Sequence, residues 1–462
     1  MDKAINLLVR SWLTPEGMYK TDGVLAWVQG LNESVFVNIQ KTTLSQTGWF
    51  YDEALGQIVN EKRSFFQIGG FRQIRDDHVS EQPIIIQDEI GFLGILCKVF
   101  DGVLHLLMQA KIEPGNVNKI QISPTIQATK SNFTRQHGGA SPLYLEHFLK
   151  ASQHRIVFDQ IQSEQSSRFL KKRNRNIVVI VDDTTNIEES PYHKWLTLGQ
   201  IKELMKIDNL VNMDTRTVIS CIPFHHGIDP IEIYPYIPSD PTLLRSITQG
   251  FQRSAAPDIY SYFNNYKMFS DINSQLIPLY ALKDWEMCVH DDTEAFIHKN
   301  GWPFKVVFCD IAIEGREVRN WGQPLFEAVG KATLGLFTTV EDGLREFLVY
   351  ARPEIGCFDH IELGPTVQIE GCDSQEPDQV TELFLKLYKN RIGCIYDVIM
   401  SEEGGRFYHE ENLNVIIEID KKELPDLPEG YFWLTYHTLN SFMQVNNCVN
   451  IQLRNLLSLL KL

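Results

Sequence analysis

The stretch Gly94-Ile95-Leu96-Cys97-Lys98-Val99-Phe100-Asp101-Gly102-Val103-Leu104-His105-Leu106-Leu107-Met108-Gln109-Ala110-Lys111 sets two apolar-rich runs around an Asp-Gly pair. That is the strongest short-range signal for a β-hairpin closed by a two-residue turn, and it occurs twice. Moving 241 residues along the chain lays Gln82 to Gln127 on Gln323 to Gln368 without a gap, with Gly94 over Gly335, Asp101-Gly102 over Asp342-Gly343, Glu113 over Glu354, Gly115 over Gly356 and Gln127 over Gln368. A second block at an offset of 238 pairs Glu164 with Glu402, Arg168-Phe169 with Arg406-Phe407, Asn174 and Asn176 with Asn412 and Asn414, Trp195-Leu196-Thr197 with Trp433-Leu434-Thr435, and Asn212 and Arg216 with Asn450 and Arg454. Two long blocks with nearly equal offsets identify a tandem duplication. The proline-rich stretch Pro235 to Pro241 separates the copies, so the expected domains are residues 1–235 and 236–462.

At 462 residues the chain is too long for one ordinary core, and either half could bury its own. Asn176 to Val181 reads as a buried strand, and Thr197-Leu198-Gly199-Gln200 has the capping-box pattern ahead of the helical run Ile201 to Met205. Each half is expected to be mixed α/β, of the α+β type with antiparallel sheet. The formal charge of −16 disfavours nucleic acid and anionic membranes as partners, because those surfaces are held by a basic field. The eight cysteines are scattered without a CxxC pair, so reduced thiols, no metal site and a cytoplasmic setting are expected. Neither a signal-peptide pattern nor an apolar run of bilayer length occurs.

Chemistry-bearing residues stand out where the copies are compared. On the strand Val103 to Lys111 a period of two puts His105, Leu107, Gln109 and Lys111 on one face. Lys111 and Glu113 recur as Arg352 and Glu354, and Gln127 recurs as Gln368. The densest basic cluster is Lys171-Lys172-Arg173-Asn174-Arg175-Asn176; on a strand Arg173 and Arg175 would share a face, and the planar guanidinium suits bidentate phosphate binding. The second copy has Glu411 and Leu413 at those two positions, and it replaces Asp214 and Thr215 by Gln452 and Leu453 while keeping Asn212 and Arg216. The polar loop Ser131 to Gly139, with Asn132, Arg135 and His137, has no evident counterpart in the second copy and reads as functional. No GxGxxG, GxxxxGK[ST], HExxH or GxSxG motif is found. The first copy is therefore expected to carry the working site, with the second structural or degenerate.

The runs Val103 to Asn116 and Gln121 to Thr129 resemble the NDP-hexose 2,3-dehydratase family, as do Gln162 to Gln165, Lys172 to Asn176, Trp195 to Gln200 and Asn209 to Thr217. The resemblance spans the whole chain, duplication included. It implies two tandem Nudix-like domains, without the Nudix metal box, which is absent from the sequence. It also implies a dehydratase of deoxysugar biosynthesis acting on dTDP-4-keto-6-deoxyglucose, with no cofactor. A base would remove the hydrogen on carbon 3 and the enolate would expel the hydroxyl of carbon 2. The product, a dTDP-linked 3,4-diketo-2,6-dideoxyglucose, would pass to a 3-ketoreductase, and the enzyme would be a homodimer. Under this reading Glu164, His137, Asp214 and Lys111 are the catalytic candidates. Arg173 and Arg175 would hold diphosphate, and His105, Gln109, Glu113, Asn116, Gln127, Asn132, Arg135, Asn212, Thr215 and Arg216 would complete the substrate site. A nucleotide-sugar hydrolase and a non-catalytic nucleotide-sugar-binding module are the alternatives.

Overall fold

The computed structural model describes residues 3–75, 78–129, 142–229, 236–314, 318–372 and 376–462. The Asp-Gly pairs close two hairpins, Gly91–Phe100 with Val103–Ile112 and Ala332–Glu341 with Leu344–Arg352. Asp101 and Gly102 have φ of 49° and 80°, and Asp342 and Gly343 have 49° and 78°. Two successive left-handed residues define the type I′ turn, whose twist matches that of the flanking strands.

Each hairpin is the centre of a seven-stranded sheet, and the two sheets have the same strand order. In the first copy the path runs Arg155–Ser163, Arg173–Ile180, Gly91–Phe100, Val103–Ile112, His193–Leu196, and in the second Cys394–Ser401, Glu411–Glu418, Ala332–Glu341, Leu344–Arg352, Tyr431–Thr435. The sheets are mixed rather than antiparallel throughout. Arg173–Ile180 lies parallel to Gly91–Phe100, and Glu411–Glu418 parallel to Ala332–Glu341. Ile177 to Val179 is apolar and fully buried, as a central strand covered on both faces requires. The helix Leu198–Leu204 starts at a capping box in which the Thr197 hydroxyl accepts from the Gln200 amide at 3.0 Å.

Two smaller sheets join the copies. Val37–Thr42 of the first half pairs with Phe304–Ile313 of the second, and Ile272–Ile277 of the second pairs with Gln67–Arg75 of the first. Each half thus lends its leading strand to the other's sheet, and hydrogen-bonded sheets cross the expected boundary at residue 235. One apolar core also runs through both, with Trp12, Leu106, Ile122 and Val218 in the same cluster as Val349, Leu363, Leu453 and Leu456. Among the described residues no helix is long and apolar enough to cross a membrane.

The copies interlock at two glycines. The amide of Gly115 donates to the Gly404 carbonyl at 2.7 Å while the Gly115 carbonyl accepts from His409 at 2.9 Å. Reciprocally, the amide of Gly356 donates to Ser166 at 2.9 Å and its carbonyl accepts from Lys171 at 2.7 Å. A Cβ at Gly115 would overlap the carbonyl oxygen of Phe407, and one at Gly356 that of Phe169. Phe169 and Phe407 meet edge to face at 5.8 Å, and the flanking Arg168 and Arg406 lie over Phe304 at 4.2 Å and Phe66 at 4.5 Å. Gly115→Ala and Gly356→Ala are each expected to destabilise the whole chain by at least about 1–3 kcal/mol, the range for overpacking. Because the core is shared, thermal unfolding of either variant should remain a single transition at lower temperature; two separated transitions would contradict the interlock.

Candidate active site

A cavity of about 790 Å³ opens where the copies meet, in the size range of small-ligand sites. The first copy contributes Gln109, Lys111, Glu113, Gln127, Lys172, Asn174, His193 and Asp214, and the second contributes Trp321, Gln323, Glu403 and Arg406. Trp49, Lys62 and Phe65 form a further wall. The cavity is therefore not confined to the first half.

Strand geometry explains how the polar floor forms. Gln109 and Lys111 are the half-buried members of an otherwise buried strand end and point into the cavity. Lys111 Nζ lies 3.4 Å from Glu113 Oε1 and 3.4 Å from the Gln127 carbonyl, and the Gln127 amide donates to the same Glu113 oxygen at 3.0 Å. Gln127 Oε1 accepts from Ser123 Oγ at 3.0 Å and Asn212 Nδ2 at 3.2 Å. Asn212 caps the helix Met213–Ser220 through the Thr215 amide at 2.9 Å, and the Thr215 hydroxyl donates to the Ile122 carbonyl at 3.1 Å. The second copy keeps this frame, with Gln368 donating to Glu354 at 2.7 Å and Asn450 donating to Gln368 at 3.2 Å. Asn212 and Thr215 hold Gln127 from behind and do not line the cavity.

The capped helix carries Asp214 into the site. Its side chain is 2 % exposed, and Oδ2 has no hydrogen-bond partner among the described residues. Burial, then the negative charges of Glu403, Glu164 and Glu113, holds this carboxyl well above the usual range, with Lys111 opposing. Glu403 is raised first by burial, against which Arg406, Lys111 and Lys172 act, while Glu113 adds to it. Arg406 is fixed by Gln87, whose Oε1 accepts from Nη2 at 2.9 Å and Nε at 3.2 Å, and lies over Phe65 at 4.3 Å. Glu164 sits one layer behind the wall, accepting from Asn174 at 2.7 Å, and burial pushes its carboxyl to about 7. His193 bonds Ser190 Oγ at 2.6 Å and the Thr125 carbonyl at 3.3 Å, and burial drives its imidazole down to about 4, so it is neutral.

Several expected site residues are placed elsewhere. Arg175 forms a bidentate pair with Asp159 on the exposed sheet edge, with Nε to Oδ1 at 2.6 Å, and Arg173 stacks on Phe358 at 3.8 Å. Neither lines the cavity, because each reaches a neighbour that the strand pattern alone does not reveal. His105 lies toward the turn end of the hairpin, accepting from the Met18 amide at 3.1 Å, and burial holds its imidazole below the usual histidine range. Asn116 shapes the interlocking turn by donating to the Lys119 carbonyl at 2.9 Å. Arg216 is buried and donates to the Ser401 carbonyl at 2.7 Å across the copies. Asn132, Arg135 and His137 lie outside the described residues. Cavity residues with no signal in the sequence include Lys62, His193, Trp321 and Glu403, while Lys172 figures there only within the basic cluster and Arg406 only as one of a kept pair with Arg168.

The NDP-hexose 2,3-dehydratase family model matches the chain twice, over residues 21–222 and 256–460. The chain belongs to this family. Three relatives named dTDP-4-dehydro-6-deoxy-alpha-D-glucopyranose 2,3-dehydratase are similar along almost their whole length. The protein from Streptomyces violaceoruber is 38% identical, covering 95% of this chain and 96% of the relative. Those from Saccharopolyspora spinosa and Amycolatopsis orientalis are 36% and 35% identical, covering 96% and 99% of this chain and 91% and 93% of the relatives.

Carboxyls buried along the seam make stability depend on pH. Burial raises Glu164 and Glu362 to about 7 and Glu410 to about 8, and Glu362 accepts from Ser163 of the other copy at 2.8 Å. Folded-state values above the unfolded one mean tighter proton binding when folded. The stability this contributes is complete below the unfolded carboxyl pKa and is lost as pH rises through about 7 to about 8. The denaturant midpoint should therefore fall between about pH 6 and about pH 8.5, and Glu410→Gln should flatten that fall. A midpoint independent of pH over this interval would contradict the assignment.

Proposed function

We propose that this chain is a dTDP-4-keto-6-deoxy-D-glucose 2,3-dehydratase, built on two tandem Nudix-like repeats and acting as a cytoplasmic homodimer. The names of the full-length relatives supply the substrate class. The observation that carries the chemistry is a single cavity holding a carboxyl that resists ionisation, Asp214, beside the Lys111, Gln127 and Glu113 group. The ketone at carbon 4 acidifies the hydrogen on carbon 3, so a carboxylate can remove it to give an enolate. Return of that electron pair forms the bond between carbons 2 and 3 and expels the hydroxyl of carbon 2, which needs a proton to leave as water. The resulting enol tautomerises to the 3,4-diketone, taking a proton at carbon 2.

Lys111 is the donor for the enolate oxygen, held in place by Glu113 and Gln127, and such a preformed donor acts most strongly where water is excluded. Gln109 lies beside it on the same strand face. Lys62, Lys172 and Arg406 are the cations on the cavity wall and take the diphosphate role expected of Arg173 and Arg175. Trp49, Phe65 and Trp321 offer aromatic surface for the nucleoside. The reaction requires no redox cofactor, since the ketone already supplies the electron sink. The 3,4-diketo product is labile and calls for a reductase acting on carbon 3.

Incubation with dTDP-4-keto-6-deoxyglucose and a 3-ketoreductase should give a product lacking one water by mass spectrometry. Release of dTMP would favour the hydrolase, and tight binding of unchanged sugar nucleotide would favour the binding module. Lys111→Met should lower kcat by about 10²–10³-fold, as loss of one oxyanion donor does, with dTDP affinity by calorimetry little altered.

A further inference from the structure

Where the two blocks align, the copies differ at two acidic positions of the cavity. Asp214 aligns with Gln452, and Glu403 aligns with Gln165. In the cavity the two carboxyl groups come from opposite copies; at the equivalent positions of the repeat both are glutamines, which neither take up nor release a proton near neutrality. Two further positions of the second centre differ in charge. Lys172 is replaced by Glu410 and Thr129 by Glu370, and Glu370 pairs with Arg168 at 2.9 Å.

Glu403 reaches the first cavity because of the interlock. It precedes Gly404, whose carbonyl accepts from Gly115 at 2.7 Å, and the amides of Arg406 and Phe407 bond back to the Glu403 carbonyl at 3.1 and 3.0 Å. The second copy's backbone is thereby pinned against the turn that follows Glu113. The environments of the two carboxyls differ. Burial and the charge of Glu113 raise the Glu403 carboxyl too, but Arg406, Lys111 and Lys172 stand beside it and oppose that rise. Asp214 is fully buried, its Oδ2 has no partner among the described residues, and three carboxylates act on it against one opposing cation, Lys111. Of two neighbouring carboxyls, the one with more cations beside it is better placed to act as base and the other to hold a proton as acid.

We infer that the acid–base pair of the dehydration is split between the copies: Glu403 of the second takes the hydrogen from carbon 3, and Asp214 of the first protonates the hydroxyl leaving carbon 2. The inference rests on the dehydratase reading. The proton removed from carbon 3 ends on Glu403 and the enolate electron pair moves to the bond between carbons 2 and 3. The carbon 2 to oxygen bond breaks with its electrons on oxygen, and the Asp214 proton completes water. The net change is loss of one water, with no oxidant or reductant.

The test follows the hydrogen at carbon 3 of dTDP-4-keto-6-deoxyglucose by NMR in D₂O, alongside water loss in the coupled assay. Glu403→Gln should lose both exchange and elimination by about 10²–10⁴-fold, the usual span for removal of a general base. Asp214→Asn should lose elimination on a similar scale while exchange at carbon 3 continues. Calorimetry with dTDP checks that each variant is folded. Should Glu403→Gln fail that check, Glu403→Asp takes its place, with slowed exchange expected. Exchange at the wild-type rate in the Glu403 variant would overturn the inference, as would parallel loss of exchange and elimination in Asp214→Asn. Wild-type protein that leaves the sugar nucleotide intact would instead defeat the dehydratase reading itself.

Discussion

Everything distinctive about this chain depends on two strands of backbone that pass too close for a side chain. At Gly115 and Gly356 each copy donates an amide into the other and accepts one in return. Peptide groups buried at such a crossing must find partners, and here each finds its partner in the other copy. The exchange of leading strands, Val37–Thr42 one way and Ile272–Ile277 the other, adds a second set of crossings. Such pairings between distant parts of a chain carry a loop-closure cost that the shared core must offset. The result is two repeats with one interior, and a cavity that neither repeat encloses alone.

The pseudo-symmetry separates frame from function. The Asn212, Gln127 and Glu113 chain has its equal in Asn450, Gln368 and Glu354, so this network is architecture. Arg216 and Arg454 likewise each bond a carbonyl in the opposite copy, Ser401 and Ser163. What differs is charge: Lys172 against Glu410, Thr129 against Glu370, and the two acids Asp214 and Glu403 against two amides. The second half is thus more than a support for the first, because Glu403 and Arg406 stand in the first half's cavity.

Features fixed by local chemistry were legible in the sequence. The Asp-Gly turns have the two left-handed residues that their composition demands, and Thr197 and Gln200 close the capping box that their spacing announces. The duplication was legible because its two blocks run long without gaps. Strand exchange was not, because alternation of apolar and polar residues says which face is buried and nothing about whose strand lies alongside. The same gap hides where the two arginines reach: Arg173 and Arg175 sit on the expected strand, but Phe358 and Asp159 take up their side chains and neither lines the cavity. Glu403 was not legible because it is an acid of the second copy over Gln165 of the first, the reverse of the Asp214 contrast, while the working site was expected in the first copy.

The glutamines of the second centre also have an energetic reading. A buried carboxyl without a partner must either stay protonated or lose its hydration, and both work against folding at neutral pH. An amide of similar shape removes the ionisation problem while leaving a polar group that still wants hydrogen bonds. Gln165 donates to Glu410 at 3.5 Å, yet the amide oxygens of Gln165 and Gln452 are both without partners among the described residues. The second copy therefore carries a fixed polar mismatch where the first carries a titratable one. The first centre retains the more destabilising arrangement, with Asp214 deep inside and facing three other carboxylates. Such an arrangement in one copy and not the other is what the proposed proton transfer at Asp214 would require.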